Sequence, residues 1–417
     1  MKGSMTELTK DQRATLLSKI EATVSEKYFD PAFNDAAWRA TVKKHRTSIL
    51  EAPSTEAFEN AIGAMLSELS PKSLGLLSER TPINPRNAIN ASFSIQQVAD
   101  GQRWVFQDVL PGGVAMQAGV KTGDILVTAA GKEMRPSIGS AAEPPFEMQN
   151  VIAIGVRRGA AEHSLSLKTG DPKYKDNPYS DLKALSADTL DGAIAYLKVS
   201  LFPGKIGIDF ANELDELFKG RFAAADRLII DLRGNPGGGI GGLTLMSYLT
   251  PDRLPIGYSK NRKMAQNGTH PSSLPVFDKV PRSKLAIPGL ALKFIGKTSV
   301  FLNTEALGPK PYHGNTVILV NEHSTGAAEM LAQFAKENGL ATIVGTKTPG
   351  RLVSRSATKL GSGYRLIVPV AAYVSAKGTQ IEGKGIMPDL DVPWSFAEAV
   401  EGRDNQLEAG MMVFGRS

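Results

Sequence analysis

Asp226-Arg227-Leu228-Ile229-Ile230-Asp231-Leu232-Arg233-Gly234-Asn235-Pro236-Gly237-Gly238-Gly239 is an apolar strand that runs without a break into a glycine-rich turn. A strand apolar on both faces belongs in the interior of a layered sheet. The turn behind it exposes main chain at the strand's end, and glycine there lets a ligand approach the backbone amides closely. A phosphate loop is not indicated, because Gly-Lys-Ser/Thr is missing. From Asp188 onward short β runs alternate with helical ones, at Ile194 to Val199, Leu228 to Leu232, Thr316 to Asn321, Ala341 to Gly345 and Tyr364 to Val370. That alternation predicts an α/β layered domain.

The chain is too long for one ordinary domain, at 417 residues, so a multi-domain α/β protein is expected. Its 48 basic and 42 acidic residues are spread along the chain without a cationic run, and no nucleic-acid partner is predicted. With no cysteine, thiol nucleophiles, disulfides and thiolate metal sites are excluded. His45, His163, His270 and His313 are isolated and have no metal-ligand spacing, so neither a metal nor another cofactor is expected. No stretch reaches the roughly 18 to 20 apolar residues of a membrane span. Met5 preceded by Gly3-Ser4 reads as a cloning remnant, so residues 1–5 are set aside. The expected compartment is the periplasm or the exterior where a leader has been removed, and the cytoplasm otherwise.

Apolar residues at three- and four-residue spacing between Leu8 and Leu69 (Leu16, Ile20, Val24; Ile62, Met65, Leu66) predict helices broken near Asp30-Pro31 and Pro53-Ser54. Residues 1–84 are therefore read as an N-terminal helical unit. Short β runs begin at Phe93. Val109-Leu110-Pro111-Gly112-Gly113-Val114-Ala115, then Ala118-Gly119-Val120-Lys121-Thr122-Gly123-Asp124-Ile125-Leu126, reads as strand, turn, short helix, turn, strand. This spacing resembles the middle of a PDZ domain, with Val151 to Val156, Leu165 and Leu167 supplying closing strands; residues 85–172 are assigned to it. The resemblance implies capture of an extended peptide as an added strand. No Gly-Leu-Gly-Phe stands before Phe93-Ser94-Ile95, where such domains keep a carboxylate loop.

Three further segments carry chemistry. Val317-Ile318-Leu319-Val320-Asn321-Glu322-His323-Ser324-Thr325-Gly326-Ala327-Ala328-Glu329-Met330 is a strand feeding a helix, whose N-terminal amides and dipole favour developing negative charge. Ile343-Val344-Gly345-Thr346-Lys347-Thr348-Pro349-Gly350-Arg351 is a strand leading to a cation, and Gly378-Thr379-Gln380-Ile381-Glu382-Gly383-Lys384-Gly385-Ile386-Met387-Pro388-Asp389 follows Tyr373. In this order behind the PDZ-like segment, the four motifs resemble the C-terminal-processing (tail-specific) serine peptidases. That resemblance implies a crotonase-like α/β core at residues 185–417, a Ser/Lys dyad, and an oxyanion hole built from the amides of Gly237 or Gly238 and Ala327.

Carried over residue by residue, the resemblance changes meaning. Glu329, three residues after the family's serine, puts Gly326 in the nucleophile's place, and Arg351 stands where the family has its lysine. Glycine has no nucleophile, and arginine is not a neutral base near pH 7. Relatives carry histidine where Leu69-Ser70-Pro71-Lys72-Ser73 offers Ser73. The expectation is a serine-type hydrolase acting on peptide or protein C-termini with a relocated nucleophile, Ser324, and His323 or Lys347 as base. The alternatives are a peptide-binding pseudo-peptidase whose Arg351 pairs with a carboxylate, and an esterase-like hydrolase. Ser324 and Thr325 as helix caps, and Glu329 as the capping partner at the third helical residue, are the structural readings of the same residues. Tyr196 and Phe202 are expected to pack.

Overall fold

The computed structural model describes residues 7–69, 74–78, 81, 85–137, 139–140, 143–145, 149–169, 182–191, 193–203, 207–239, 241–297, 299–307, 312 and 314–415. Helices Lys10–Lys27, Asp35–Leu50 and Thr55–Leu66 open the chain. Each starts at a capping side chain: Thr9 in a reciprocal box with Gln12, Asn34, and Ser54. The predicted breaks coincide with the two connectors. This helical unit does not close its core alone. Leu17, Ile20, Trp38, Phe58 and Ile62 pack with Leu360, Tyr364, Leu366 and Val368, some 300 residues later, and the Gly75–Leu77 strand pairs with Tyr364–Ser375. Amphipathic periodicity shows that a face is buried but does not say against what.

The second unit is an antiparallel sheet in the order Ala91–Val98, Gly101–Val109, Ile125–Ala129, Val151–Arg158, Ala161–Lys168, around Phe93, Trp104, Phe106, Leu126, Ile154 and Val156. Ala91–Val98 is an edge strand with one side unpaired among the described residues.

The core is a six-stranded sheet in the order Leu390–Asp391, Thr342–Gly345, Asn315–Val320, Arg227–Asp231, Ile194–Val199, Leu185–Leu190. All neighbours are parallel except the last pair. Side-chain alternation sends Leu228, Ile230, Ile318 and Val320 to one face, where helices Ile208–Lys219, Gly242–Tyr248 and Ala327–Glu337 cover them. Ile229, Val317 and Leu319 face the other way, toward Phe414 and the Asn405–Val413 helix. Both faces are buried, which explains the uninterrupted apolar runs. A second sheet centres on Tyr364–Ser375, flanked by Val353–Gly361 and Pro255–Lys260. The turns after Asp231, Val320 and Gly345 therefore lie together at the carboxyl ends of three adjacent parallel strands, where open α/β sheets hold ligands.

An internal ion network holds the first of these turns. Arg233 donates to both Asp231 oxygens (Nη2 to Oδ2, 2.7 Å; Nε to Oδ1, 3.0 Å) and to Asp404 (2.7 and 2.8 Å), while Lys198 reaches Asp231 at 3.1 Å. Tyr196 does more than pack, since its hydroxyl donates to Asp231 Oδ2 at 2.8 Å. Burial alone pushes the Asp231 carboxyl up, but the Arg233 and Lys198 charges outweigh it and hold the group well below the usual range. A depressed carboxylate contributes stability that is complete above about pH 4 and is lost as the pH falls. Arg233→Leu leaves Asp231 buried without the two hydrogen bonds and the charge of the guanidinium. The variant should lose about 3–5 kcal/mol in urea denaturation at neutral pH, and its deficit should narrow on acidification as Asp231 takes a proton. A deficit that is small, or independent of pH, contradicts this account of the network.

Candidate functional site

The glycine turn and the strand-to-helix turn lie against each other. Asn235 organises the first: its Nδ2 donates to Val199 O (2.8 Å), its Oδ1 accepts the Gly237 amide (2.7 Å), and its carbonyl accepts the Thr325 amide (2.9 Å). At Gly238, φ is +132° and a Cβ would come within 1.8 Å of Phe202 O, so only glycine fits. Phe202 is buried and its main chain brackets this turn, accepting from Gly239 N and donating to Gly237 O. Of the amides proposed from sequence for an oxyanion hole, Gly237 is spent on Asn235. Those of Gly238 and Ala327 have no acceptor among the described residues. Of the three amides in that reading, only those of Gly238 and Ala327 are free to receive a ligand from the described residues' side.

Gly326, the residue that the sequence resemblance sets in the nucleophile's place, has φ +62° and ψ −119°. A Cβ built there meets nothing nearer than Gly237 Cα at 3.4 Å, then Arg351 O and Pro236 O at 3.9 Å. The turn thus keeps room for a side chain it does not have.

Ser324 does not fill that role. It is fully buried; its Oγ donates to Leu232 O at 2.9 Å, lies 3.3 Å from Asn321 Oδ1 and accepts the Asn321 amide at 2.9 Å. None of its hydrogen bonds goes to His323 or Lys347. The hydroxyl ties the turn to the end of the neighbouring strand, a local side-chain to backbone bond of the kind serine favours. His323 turns away as well, its Nδ1 2.7 Å from Asp108 Oδ2, and Lys347 is exposed with no hydrogen bond among the described residues. The pairing of Ser324 with either base is thus corrected by the geometry. Ser73 lies outside the described residues.

Glu329 is a clamp. Its Oε1 accepts from Thr348 Oγ1 (2.6 Å) and Gly350 N (2.7 Å), and its Oε2 from Gly326 N (3.0 Å) and Arg351 N (2.8 Å). Burial pushes its pKa up, while these four donors pull it back. Glu382 repeats the device on a smaller scale, accepting Leu352 N at 2.6 Å; burial, with the Glu329 charge nearby, raises it too. Arg351 is exposed, and its guanidinium makes no hydrogen bond or ion pair with the described residues. The cleft therefore offers two amides without acceptors among the described residues and an exposed cation, and residue 326 carries no hydroxyl.

Asp108 and Gln107 were not singled out from sequence. Asp108 reaches from the second unit to Asn321 Nδ2 (2.9 and 3.1 Å), to His323 and to Ser92, and Gln107 donates to Glu322 at 2.8 Å. Burial pushes the Asp108 carboxyl up, yet His323, Lys198 and Ser92 together hold it well below the usual range. More than 200 residues separate it from Asn321 and His323, and no local pattern marks it.

Residues 193–392 match the profile of Peptidase family S41. The carboxyl-terminal-processing protease of Picosynechococcus sp. is 26% identical over 395 residues, 92% of this chain and 84% of that protein. Carboxyl-terminal-processing peptidase 3, chloroplastic, of Arabidopsis thaliana is 25% identical over 388 residues, 88% of this chain and 66% of that protein. Among solved structures, a photosystem II D1 C-terminal processing protease superposes with a TM-score of 0.53 at 18% identity, covering 91% of this chain and 93% of its own. Mature CPAF with lactacystin gives 0.55 at 15% identity, covering 97% of each. The two structures share the fold.

Replacing Glu329 with Gln aims an amide at two of the four donors. Glu329→Gln should cost about 2–4 kcal/mol, two stranded donors at roughly 1–2 kcal/mol each, read from urea midpoints. A cost below about 0.5 kcal/mol, the level of an ordinary surface change, would show that the clamp does not hold the two loops.

Proposed function

From the Peptidase family S41 match over residues 193–392 and the likeness to carboxyl-terminal-processing proteases, we propose that this chain binds the C-terminal segment of a polypeptide in that family's cleft and does not cleave it by the serine route. The observation that carries this is Gly326: the turn keeps space for a nucleophile and keeps free amides beside it, and the nearest serine is bonded to main chain. A terminal carboxylate fits what is left. Gly238 N–H and Ala327 N–H face it from the turn and the helix N-terminus, and Arg351 supplies a planar cation that pairs with carboxylates better than lysine does.

The second unit is read as a PDZ domain that adds the peptide as a strand along the free edge of Ala91–Val98. Because the sequence has no carboxylate loop before that strand, the carboxylate itself is assigned to the cleft. Asp108, on the strand paired with that edge, bonds directly to the turn that carries Gly326. Peptide engaged on the edge is thereby coupled to the cleft through one carboxylate.

Casein and p-nitrophenyl ester turnover test this reading. Wild type and Ser324→Ala should both stay at background, while Gly326→Ser with Arg351→Lys should gain hydrolysis, because the space for the serine is present. The left-handed φ at residue 326 should cost the new serine about 1–2 kcal/mol of stability. Turnover by wild type that Ser324→Ala abolishes would overturn the proposal in favour of a relocated nucleophile.

A further inference from the structure

Residues 283–297 project from the core beside the second sheet as a short turn, Lys284–Ala286, and the helix Ile287–Phe294. Leu290 and Phe294 anchor the projection inward, the Phe294 ring 5.6 Å from that of Phe277. Its outward side is apolar: Leu285 is 91% exposed, Leu292 72% and Ile295 74%. They fall within eleven residues: Leu285 in the turn, Leu292 on the helix and Ile295 at its end. Single exposed leucines are ordinary, but three so fully exposed within a short stretch mark an interaction surface.

The charge around them has one sign. From residue 279 to residue 304 the chain has Lys279, Arg282, Lys284, Lys293 and Lys297 and no acid. Arg282 is committed to Asp215 and Glu305. The four lysines are exposed and make no ion pair with the described residues. Apolar side chains ringed by lysines, on a short helix, are complementary to a surface with an apolar interior and an anionic face.

We propose that this projection docks the protein on an anionic lipid bilayer, with Leu285, Leu292 and Ile295 entering the boundary between headgroups and acyl chains and Lys279, Lys284, Lys293 and Lys297 meeting lipid phosphates. The long lysine stems let the ammonium groups stay at headgroup level while their carbons cover the apolar side chains. Three side chains on so short a projection give shallow, reversible attachment, sensitive to salt. The proposal does not depend on what the cleft does.

The test is co-sedimentation of the full chain with vesicles of phosphatidylcholine, with and without phosphatidylglycerol. Wild type should bind only the anionic vesicles. Leu285→Glu/Leu292→Glu/Ile295→Glu should reduce binding more than about tenfold, and Lys284→Gln/Lys293→Gln/Lys297→Gln should weaken it by roughly fivefold per lysine and flatten its salt dependence. These side chains bury little, so circular dichroism and the thermal midpoint should not change; if the glutamate variant does not fold, the lysine set carries the test. Absence of wild-type binding to anionic vesicles, or equal binding by wild type and the lysine variant, overturns the proposal. So does a concentration-dependent dimer in sedimentation velocity that the same substitutions abolish while vesicles leave it intact, which would make the occupant a second copy of the chain.

Discussion

Four donors converge on the carboxylate of Glu329, and the geometry of the cleft follows from them. Two come from the Thr348–Gly350 stretch, one from Arg351 and one from Gly326, so a single buried side chain joins the turn after one parallel strand to the loop after the next. An ionised carboxylate has no donor of its own, and this arrangement satisfies it without a cation. It also holds the amide of Gly326, whose φ is positive, and the next amide, that of Ala327, has no acceptor among the described residues. In the peptidase family whose profile matches residues 193–392, the resemblance sets a nucleophile on this turn; in this chain that position is Gly326.

The second unit is fastened to the same turn. Asn321 gives its Nδ2 to Asp108 and uses its Oδ1 to receive the amides of Gly234 and His323. Ser324 and Leu232 close the ring from beneath. The glycine turn, the helix N-terminus and the second unit thus share one polar network. Networks of this kind are costly when half satisfied and specific when complete, which explains why so many polar groups are tolerated with little exposure.

Much of this was legible in the sequence. The apolar runs gave the parallel strands to within a residue or so, because strands buried on both faces have no alternation to confuse. Motif order and the three-residue spacing from Gly326 to Glu329 set a glycine at the nucleophile's place by resemblance alone. Orientation was not legible. Ser324, two residues away on the same turn, looked available by spacing, and only the fold reveals that its hydroxyl faces the Leu232 carbonyl. Gly237 and Gly238 are neighbours of equal promise in the sequence, yet the Asn235 side chain takes one amide and leaves the other. The N-terminal helices announced a buried face but not its partner, since Leu17 and Tyr364 are related by tertiary packing alone. Asp108 was missed for the same reason.

The central claim is that the cleft kept its receptor groups while losing its chemistry, so that Arg351 and two amides hold a carboxylate. Calorimetric titration of one peptide in two forms, with a free C-terminal carboxylate and with an amide, into wild type and Arg351→Ala tests this most directly. The free acid should bind wild type about tenfold tighter than the amide, a difference of about 1.4 kcal/mol. That preference should vanish in Arg351→Ala, and the peptide should be recovered intact. Equal binding of the two forms by wild type, or recovery of shortened peptide, would contradict it.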